Sequence, residues 1–195
     1  MNPLYLLGFC TSLTVHANEE VKKSMEFLKQ IRAIGLLPVM VTIVIPTFLI
    51  YLTNSIHFGW FLPSPFNLIP IFVGIFLITI GLILWIKSTF LLAIIGKGTL
   101  APWDPKQKLV VESIYRYIHN PMIIGIFLIL LGEAILFGSI YLFYWFIIFF
   151  IGNLIYIPLF EGPSLDKRFG KNFILYKKNV PRWIPRQTPW YGLLD

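Results

Sequence analysis

Four long apolar runs, separated by polar connections, constrain the fold of this chain more than any other feature. They cover residues 34–53, 66–86, 121–138 and 140–160. A helix that crosses the hydrocarbon core of a bilayer needs about 20 predominantly apolar residues. Only helices and closed barrels satisfy their backbone hydrogen bonds in that environment. The runs therefore predict an all-α, multi-spanning transmembrane helical bundle with four spans.

The basic residues indicate which side of the membrane each connection faces. All 16 Lys and Arg residues fall in three windows, 19–32, 87–120 and 161–195, whereas the other two connections contain none. Cytoplasmic loops of membrane proteins are enriched in Lys and Arg. We therefore expect a multi-pass integral membrane protein with the three windows and the C-terminus in the cytoplasm. Because topology accounts for the net charge of +7, no nucleic-acid partner is predicted.

The remaining segments fit a single domain over 1–195. Residues 1–33 form its N-terminal part. Residues 1–17 predict a possible fifth membrane helix. Residues 18–33 place mostly apolar residues on one helical face, which predicts a helix that lies at the headgroup boundary. Residues 34–160 are the predicted transmembrane core, and 161–195 are the predicted cytoplasmic C-terminal lid.

The third and fourth runs predict a helical hairpin whose open end lies at the cytoplasmic face. Asn120 is a preferred N-cap residue, and Pro121 suits the first helical position. We expect the fourth helix to end at Glu161, at nearly the same depth. Arg116, Asn120 and Glu161 are then neighbours, beside a helix N-terminus that can bind a carboxylate or phosphate. Ordinary caps and interfacial anchors explain the same spacing.

Two stretches after residue 95 carry a recognisable pattern. They are GKGTLAPWDPKQKLVVESIYRYIHNPMIIG at 96–125 and EGPSLDKRFGKNFILYKKNVPRWIPR at 161–186. These two stretches, in this order, resemble the isoprenylcysteine carboxyl methyltransferase and phospholipid methyltransferase superfamily. The resemblance is to the small prokaryotic members of the superfamily. The resemblance implies an integral-membrane enzyme that uses S-adenosylmethionine, releases S-adenosylhomocysteine and methylates a lipid-tailed substrate. We expect that substrate to enter from the bilayer, among the membrane lipids.

The resemblance also implies a set of site residues. The glycine-rich element of the family matches 96–98, its third-span motif matches 119–121, and its acidic pair falls on Glu161 and Gly162. We expect Glu161 and Arg116 to act in catalysis. The implied cofactor-binding residues are Gly96, Lys97, Gly98, Tyr115, Ile118, His119, Asn120, Pro121, Met122, Gly125, Tyr156 and Glu161.

The chain departs from the family pattern at three positions. Gly162 replaces the second acid, so that only Glu161 is left to serve. His119 stands where the family usually has Arg, and an imidazole is charged only part of the time near neutral pH. Ile123 replaces a Tyr and removes a hydroxyl from the pocket wall.

Three functions remain open at this point. A prenylated cysteine carboxylate is the favoured acceptor, because it is already ionised at neutral pH and needs no general base. A phospholipid ethanolamine acceptor would first have to lose a proton. A non-catalytic transporter or scaffold is the third reading. No metal site is predicted, because the three His residues are scattered and Cys10 is the only cysteine.

Overall fold

The computed structural model describes residues 37–95 and 109–192, and this part of the chain is helical without a β-strand. The all-α prediction is confirmed there. The helices are α1 (Leu37–Thr53), α2 (Leu68–Ile95), α3 (Pro121–Phe137), α4 (Ile140–Tyr156) and α5 (Gly162–Asn179). The helices predicted within residues 1–33 lie outside the described residues.

Each of the four apolar runs coincides with a helix. Two described helices are long and apolar enough to cross a membrane, namely α2 and the continuous helix Ile140–Asn179. Helices α1 and α3 are shorter apolar helices. Four complete spans and a cytoplasmic C-terminus therefore remain predictions. Helix α2 also continues past Lys87 to Ile95, beyond the predicted end of its run at residue 86.

Helices α2 and α3 are antiparallel and pack backbone against backbone. A methyl group added at Gly125 would lie 2.8 Å from the carbonyl oxygen of Gly81, and one added at Gly81 would lie 2.7 Å from that of Gly125. Gly74 and Gly132 form the same reciprocal contact two turns away. Small residues allow such close approach inside a membrane, where dispersion contacts drive helix association.

Helix α1 contains a π-helical turn, Met40–Val44, which binds it to α4. Ile45 donates its N–H to the carbonyl of Met40, and Pro46 has no N–H to offer. The carbonyl of Val41 is therefore left without a helical donor. The indole of Trp145 on α4 donates to it instead, at 3.1 Å.

The turn between α3 and α4 is as predicted. Gly138 ends α3 with a left-handed backbone (φ 58°), and Ser139 precedes the first residue of α4. A methyl group at Gly138 would overlap the carbonyl oxygen of His57, so that the turn needs a residue without a side chain.

The prediction that the fourth helix ends at Glu161 is wrong. The chain passes through a π-helical turn, Ile157–Glu161, and continues directly into α5. Gly162 donates to the carbonyl of Ile157, and Pro163 leaves the carbonyl of Pro158 without a helical donor. A proline pair widens the helix at this point without stopping it.

Helix α5 bends sharply at Gly170, where the backbone takes φ 55° and ψ −131°. The ammonium of Lys177 lies 2.6 Å from the carboxylate of Asp166, although about 16 Å of straight helix would separate residues eleven apart. The bend therefore folds α5 into two arms, 162–169 and 171–179. The face between them buries Leu165 and Phe173.

Candidate functional site

The start of α3 forms the centre of the site. Asn120 is the N-cap residue and Pro121 the first helical residue, as the sequence predicts. The Asn120 side chain nevertheless makes no capping hydrogen bond, and its Nδ2 atom is buried without a partner. An amide donor that is buried and unpaired costs stability. The side-chain amide of Asn120 can therefore donate a hydrogen bond to an oxygen atom of a ligand.

A cavity lies between the start of α3, the C-terminal end of α2 and the bent helix α5. Four predicted site residues line it, namely Tyr115, His119, Asn120 and Glu161. Three of them come from the loop before α3, and Glu161 comes from the π-helical turn before α5, far away in the sequence. The cavity is narrow, with a volume of about 20 Å³. This is roughly the room that one water molecule needs.

Tyr115 joins this cavity to α2. Its side chain is buried, and its hydroxyl lies 3.5 Å from the carbonyl oxygen of Ser88. Burial raises the pKa of the Tyr115 phenol above its usual value, and the negative charge of Glu161 raises it further. The phenol therefore stays protonated near neutral pH and remains a hydrogen-bond donor.

His119 lies between the aromatic residues of the second arm of α5. Its ring meets that of Phe173 edge-on at a centroid distance of 5.2 Å, and the Tyr176 ring is 4.9 Å away. Only 8% of the residue is exposed. The imidazole thus forms part of the cavity wall, and the packing around it restricts its orientation.

The segment after α5 holds the loop before α3 in place. Three backbone hydrogen bonds run between them in antiparallel order, from His119 to Pro181 (3.0 Å), from Arg186 to Tyr117 (2.9 Å) and from Trp190 to Arg116 (3.1 Å). Because of these bonds, the loop that supplies Tyr115 and His119 depends on the C-terminal segment for its position.

Arg116 points away from the cavity and does not line it. Its Nε atom donates to the carbonyl of Val111 at 3.3 Å, and its guanidinium lies 4.6 Å from the centroid of the Tyr191 ring. Asn120 and Glu161 are thus brought together as predicted, whereas Arg116 takes part in the contact between the loop and the C-terminal segment.

The position of the missing second acid is also informative. A methyl group at Gly162 would lie 3.8 Å from the Nη2 atom of Arg182. An acidic side chain at this position would therefore start close to the guanidinium of Arg182.

The other predicted site residues are spread over different surroundings. Ile118 and Met122 are buried beside the start of α3, and Gly125 faces α2. Tyr156 is 52% exposed and stacks on Phe160 at 5.4 Å. Gly96, Lys97 and Gly98 lie outside the described residues.

Sequence reasoning missed the apolar half of the cavity wall. This half consists of Leu92, Leu109, Val110, Leu165, Phe169, Phe173 and Tyr176. In α5 these residues recur every three or four positions, which is the spacing of an amphipathic helix. That stripe could have been recognised, but not the cavity that it faces. The described part of the chain contains no cluster of metal-ligating side chains.

Comparison with known proteins identifies a family for this chain. The phospholipid methyltransferase family matches residues 69–172, which is more than half of the chain and includes α3, α4 and Glu161. No curated protein and no solved structure matches the chain. The predicted resemblance is confirmed, and the apolar helices agree with a membrane enzyme. This chain therefore belongs to the phospholipid methyltransferase family and is an integral-membrane methyltransferase.

Proposed function

We propose that this protein transfers a methyl group from S-adenosylmethionine to the carboxylate of a lipid-tailed acceptor, with a prenylated cysteine as the favoured substrate. The observation that carries this proposal is the meeting of Asn120, at the start of α3, and Glu161, at the junction of α4 and α5, in one cavity. We further propose that this cavity faces the cytoplasm, because the basic windows flank it.

The polar residues of the cavity fit the polar groups of the cofactor. The unpaired amide of Asn120, next to the positive end of α3, suits the carboxylate of the methionine part. The carboxylate of Glu161 suits the ammonium group or the ribose hydroxyls of the cofactor. When bound, the cofactor supplies a methyl group on a positively charged sulfur.

Size restricts how the cofactor can bind. The described cavity has room for about one water molecule, so an adenosine requires part of the wall to move. We expect the first arm of α5, with Leu165 and Phe169, to move, since the bend at Gly170 gives it a pivot. Nothing lies within 4 Å of a methyl group added at Gly170, so that the bend has space around it.

The chain's own residues mainly position the reactants and exclude water. Methyl transfer needs alignment of the acceptor with the breaking bond more than it needs an acid or a base. Leu92, Leu165 and Phe173 make the wall apolar, which strengthens the electrostatic contacts of Glu161. A carboxylate acceptor is ionised already and loses no proton during the transfer.

A phospholipid amine is the second candidate, and the family match is the observation that favours it. An amine must be deprotonated before it attacks, and Glu161 is the only acid that lines the described cavity. The two candidates therefore differ in their dependence on pH. The rate of amine methylation should fall steeply below neutral pH, whereas that of carboxylate methylation should not.

Transfer of a tritiated methyl group tests the proposal. The purified protein is supplied with labelled S-adenosylmethionine and, separately, with an S-farnesylcysteine analogue or phosphatidylethanolamine vesicles. Base-labile label in the farnesylcysteine reaction is the expected result. Base-stable label in the phospholipid would establish the second candidate, and no label in either would contradict both.

A further inference from the structure

Two hydroxyl groups on α2 differ from the other hydroxyl groups described on the apolar helices. Thr42, Thr53 and Thr79 each donate to the carbonyl four residues earlier, at 2.7–2.8 Å. This is the usual way in which a helix satisfies a hydroxyl. The hydroxyls of Ser88 and Thr89 are buried and have no partner at all, although Ser88 is fully enclosed.

These hydroxyls belong to a larger group of unpaired polar atoms, which we call the donor cluster. It comprises Trp85 Nε1, Ser88 Oγ, Thr89 Oγ1 and Asn120 Nδ2, all buried and all without a hydrogen-bond partner. The other unpaired buried side-chain atoms of the described chain belong to Asn67 and Glu133, which lie towards the opposite end of the bundle.

The α2 members of the donor cluster follow on from the cavity wall along the helix, without lining the cavity themselves. Trp85, Ser88 and Thr89 share one face of α2 with Leu92, which lines the cavity. That face is the one turned towards α3, because the backbone of Trp85 lies within 3.2 Å of a methyl group added at Gly125. From Leu92 to Trp85 the cluster extends about 10 Å along α2 into its apolar part.

The chemistry of the cluster defines what it can bind. An indole N–H and an amide NH₂ only donate, and each hydroxyl can donate as well. The cluster contains neither a carboxylate nor a cation. Its complement is a group rich in oxygen acceptors, and an anionic oxygen group accepts the strongest hydrogen bonds from such donors.

We propose that the three α2 members of the donor cluster form the subsite for the anionic oxygen group of the lipid acceptor, whether a carboxylate or a phosphodiester, while Asn120 stays with the carboxylate of the cofactor. This inference rests on the proposed function and deepens it, by assigning Trp85, Ser88 and Thr89 to the acceptor and not to the cofactor. With a carboxylate, an oxygen–carbon bond forms while the carbon–sulfur bond breaks, the electron pair returns to sulfur, and no proton moves.

Direct binding tests the subsite without relying on turnover. The affinity of the detergent-solubilised protein is measured for S-farnesyl-N-acetylcysteine and for its neutral methyl ester. We expect the acid to bind about ten-fold or more tightly than the ester, because a site built to hydrogen-bond discriminates strongly against a ligand that lacks the group. The Ser88→Ala/Thr89→Val variant should lose most of this preference.

The control is Thr79→Val on the same helix, whose hydroxyl is already bonded to Ile75. It should leave the preference unchanged. S-adenosylhomocysteine affinity should be unchanged in both variants. Equal binding of acid and ester, a preference that persists in the double variant, or an equal loss of S-adenosylhomocysteine affinity would each overturn the proposal.

Competition by lipids separates the two sources of the anion. Phosphatidylethanolamine is added as a competitor of the farnesyl acid. If it displaces the acid from the natural protein, but not detectably from the double variant, the anion that the subsite binds is a phosphodiester. Failure to compete indicates a carboxylate. If the acid preference is present and depends on the hydroxyls, while no methyl group is transferred to either lipid, then the subsite stands and the proposed function fails.

Discussion

The hydroxyl of Tyr176 donates a 2.7 Å hydrogen bond to the backbone carbonyl of Tyr115. It joins the second arm of α5 to the loop before α3, and both residues line the cavity. The hydroxyl of Tyr115 in turn approaches the carbonyl of Ser88 on α2. One chain of contacts thus connects three parts of the molecule around the site.

Replacing Tyr176 tests this connection. Tyr176→Phe removes the hydroxyl and leaves a buried carbonyl without that donor, which should cost about 1–3 kcal/mol in the free energy of unfolding. Tyr144→Phe is the matched control, because Tyr144 is 58% exposed on α4 and its loss should be nearly neutral. Denaturant unfolding of the two variants in detergent measures the difference. Equal stabilities would mean that the bond contributes nothing.

Replacing Glu161 tests the cofactor site. Glu161→Gln keeps the shape of the side chain and removes its charge, so S-adenosylhomocysteine should bind about ten-fold or more weakly. Glu112→Gln serves as the control, since Glu112 is exposed in the loop before α3 and does not line the cavity. Calorimetry gives both affinities. An unchanged affinity for Glu161→Gln would remove this residue from the cofactor site.

Replacing Asn120 should separate stability from binding. Its side chain makes no capping bond and leaves a buried donor unpaired, so Asn120→Ala should not lower the melting temperature. Cofactor affinity should fall about ten-fold or more, because a hydrogen bond to a charged group contributes about 1.5–3 kcal/mol. The reverse result, a less stable protein with normal affinity, would make Asn120 an ordinary structural cap.

Glycine replacements test the packing of α2 on α3. Gly125→Ala and Gly81→Ala each push a methyl group against the backbone of the facing helix, and overpacking of this kind typically costs about 1–3 kcal/mol. Gly152→Ala is the control, because nothing lies within 4 Å of the added methyl group. Alanine is the better helix former, so this control should gain up to about 1 kcal/mol. Unfolding measurements should therefore give opposite signs.

Truncation tests the C-terminal segment. A chain that ends after Gly162 lacks α5 and the three backbone bonds to the loop, so it should lose methyl transfer even where the apolar helices still assemble. A chain that ends after Gly192 keeps all of these contacts and should retain activity. Circular dichroism monitors the helices in both chains. Activity in the shorter chain would contradict the closing role proposed for this segment.

The success of the sequence-based predictions depended on whether a local rule applied. The start of α3 at Pro121 and the turn at Gly138 follow from backbone preferences of single residues, and both are confirmed. The end of α4 was predicted from where the apolar run stops. That rule failed, because hydropathy indicates which residues lie within the membrane and does not indicate where a helix ends. The helix continues into α5, whose sequence is polar.

Long-range packing explains the site residues that were not recognised. The prediction that Arg116 lies beside Glu161 rested on loop position, and no sequence rule shows that its guanidinium meets Tyr191. The unpaired hydroxyls of Ser88 and Thr89 are equally invisible in the sequence. Both depend on contacts between segments that fold together from distant parts of the chain.

The sequence by itself determined the class of the protein: apolar runs of membrane length, basic windows between them, and an ordered set of motifs that identifies a methyltransferase. Hydrophobicity, charge and helix caps act locally, so they can be read without coordinates. The tertiary structure alone decided that Tyr115, His119, Asn120 and Glu161 share one cavity and that both arms of α5, bent at Gly170, line it. These relationships depend on how side chains fill the space between helices, and that packing is a property of the whole assembled chain.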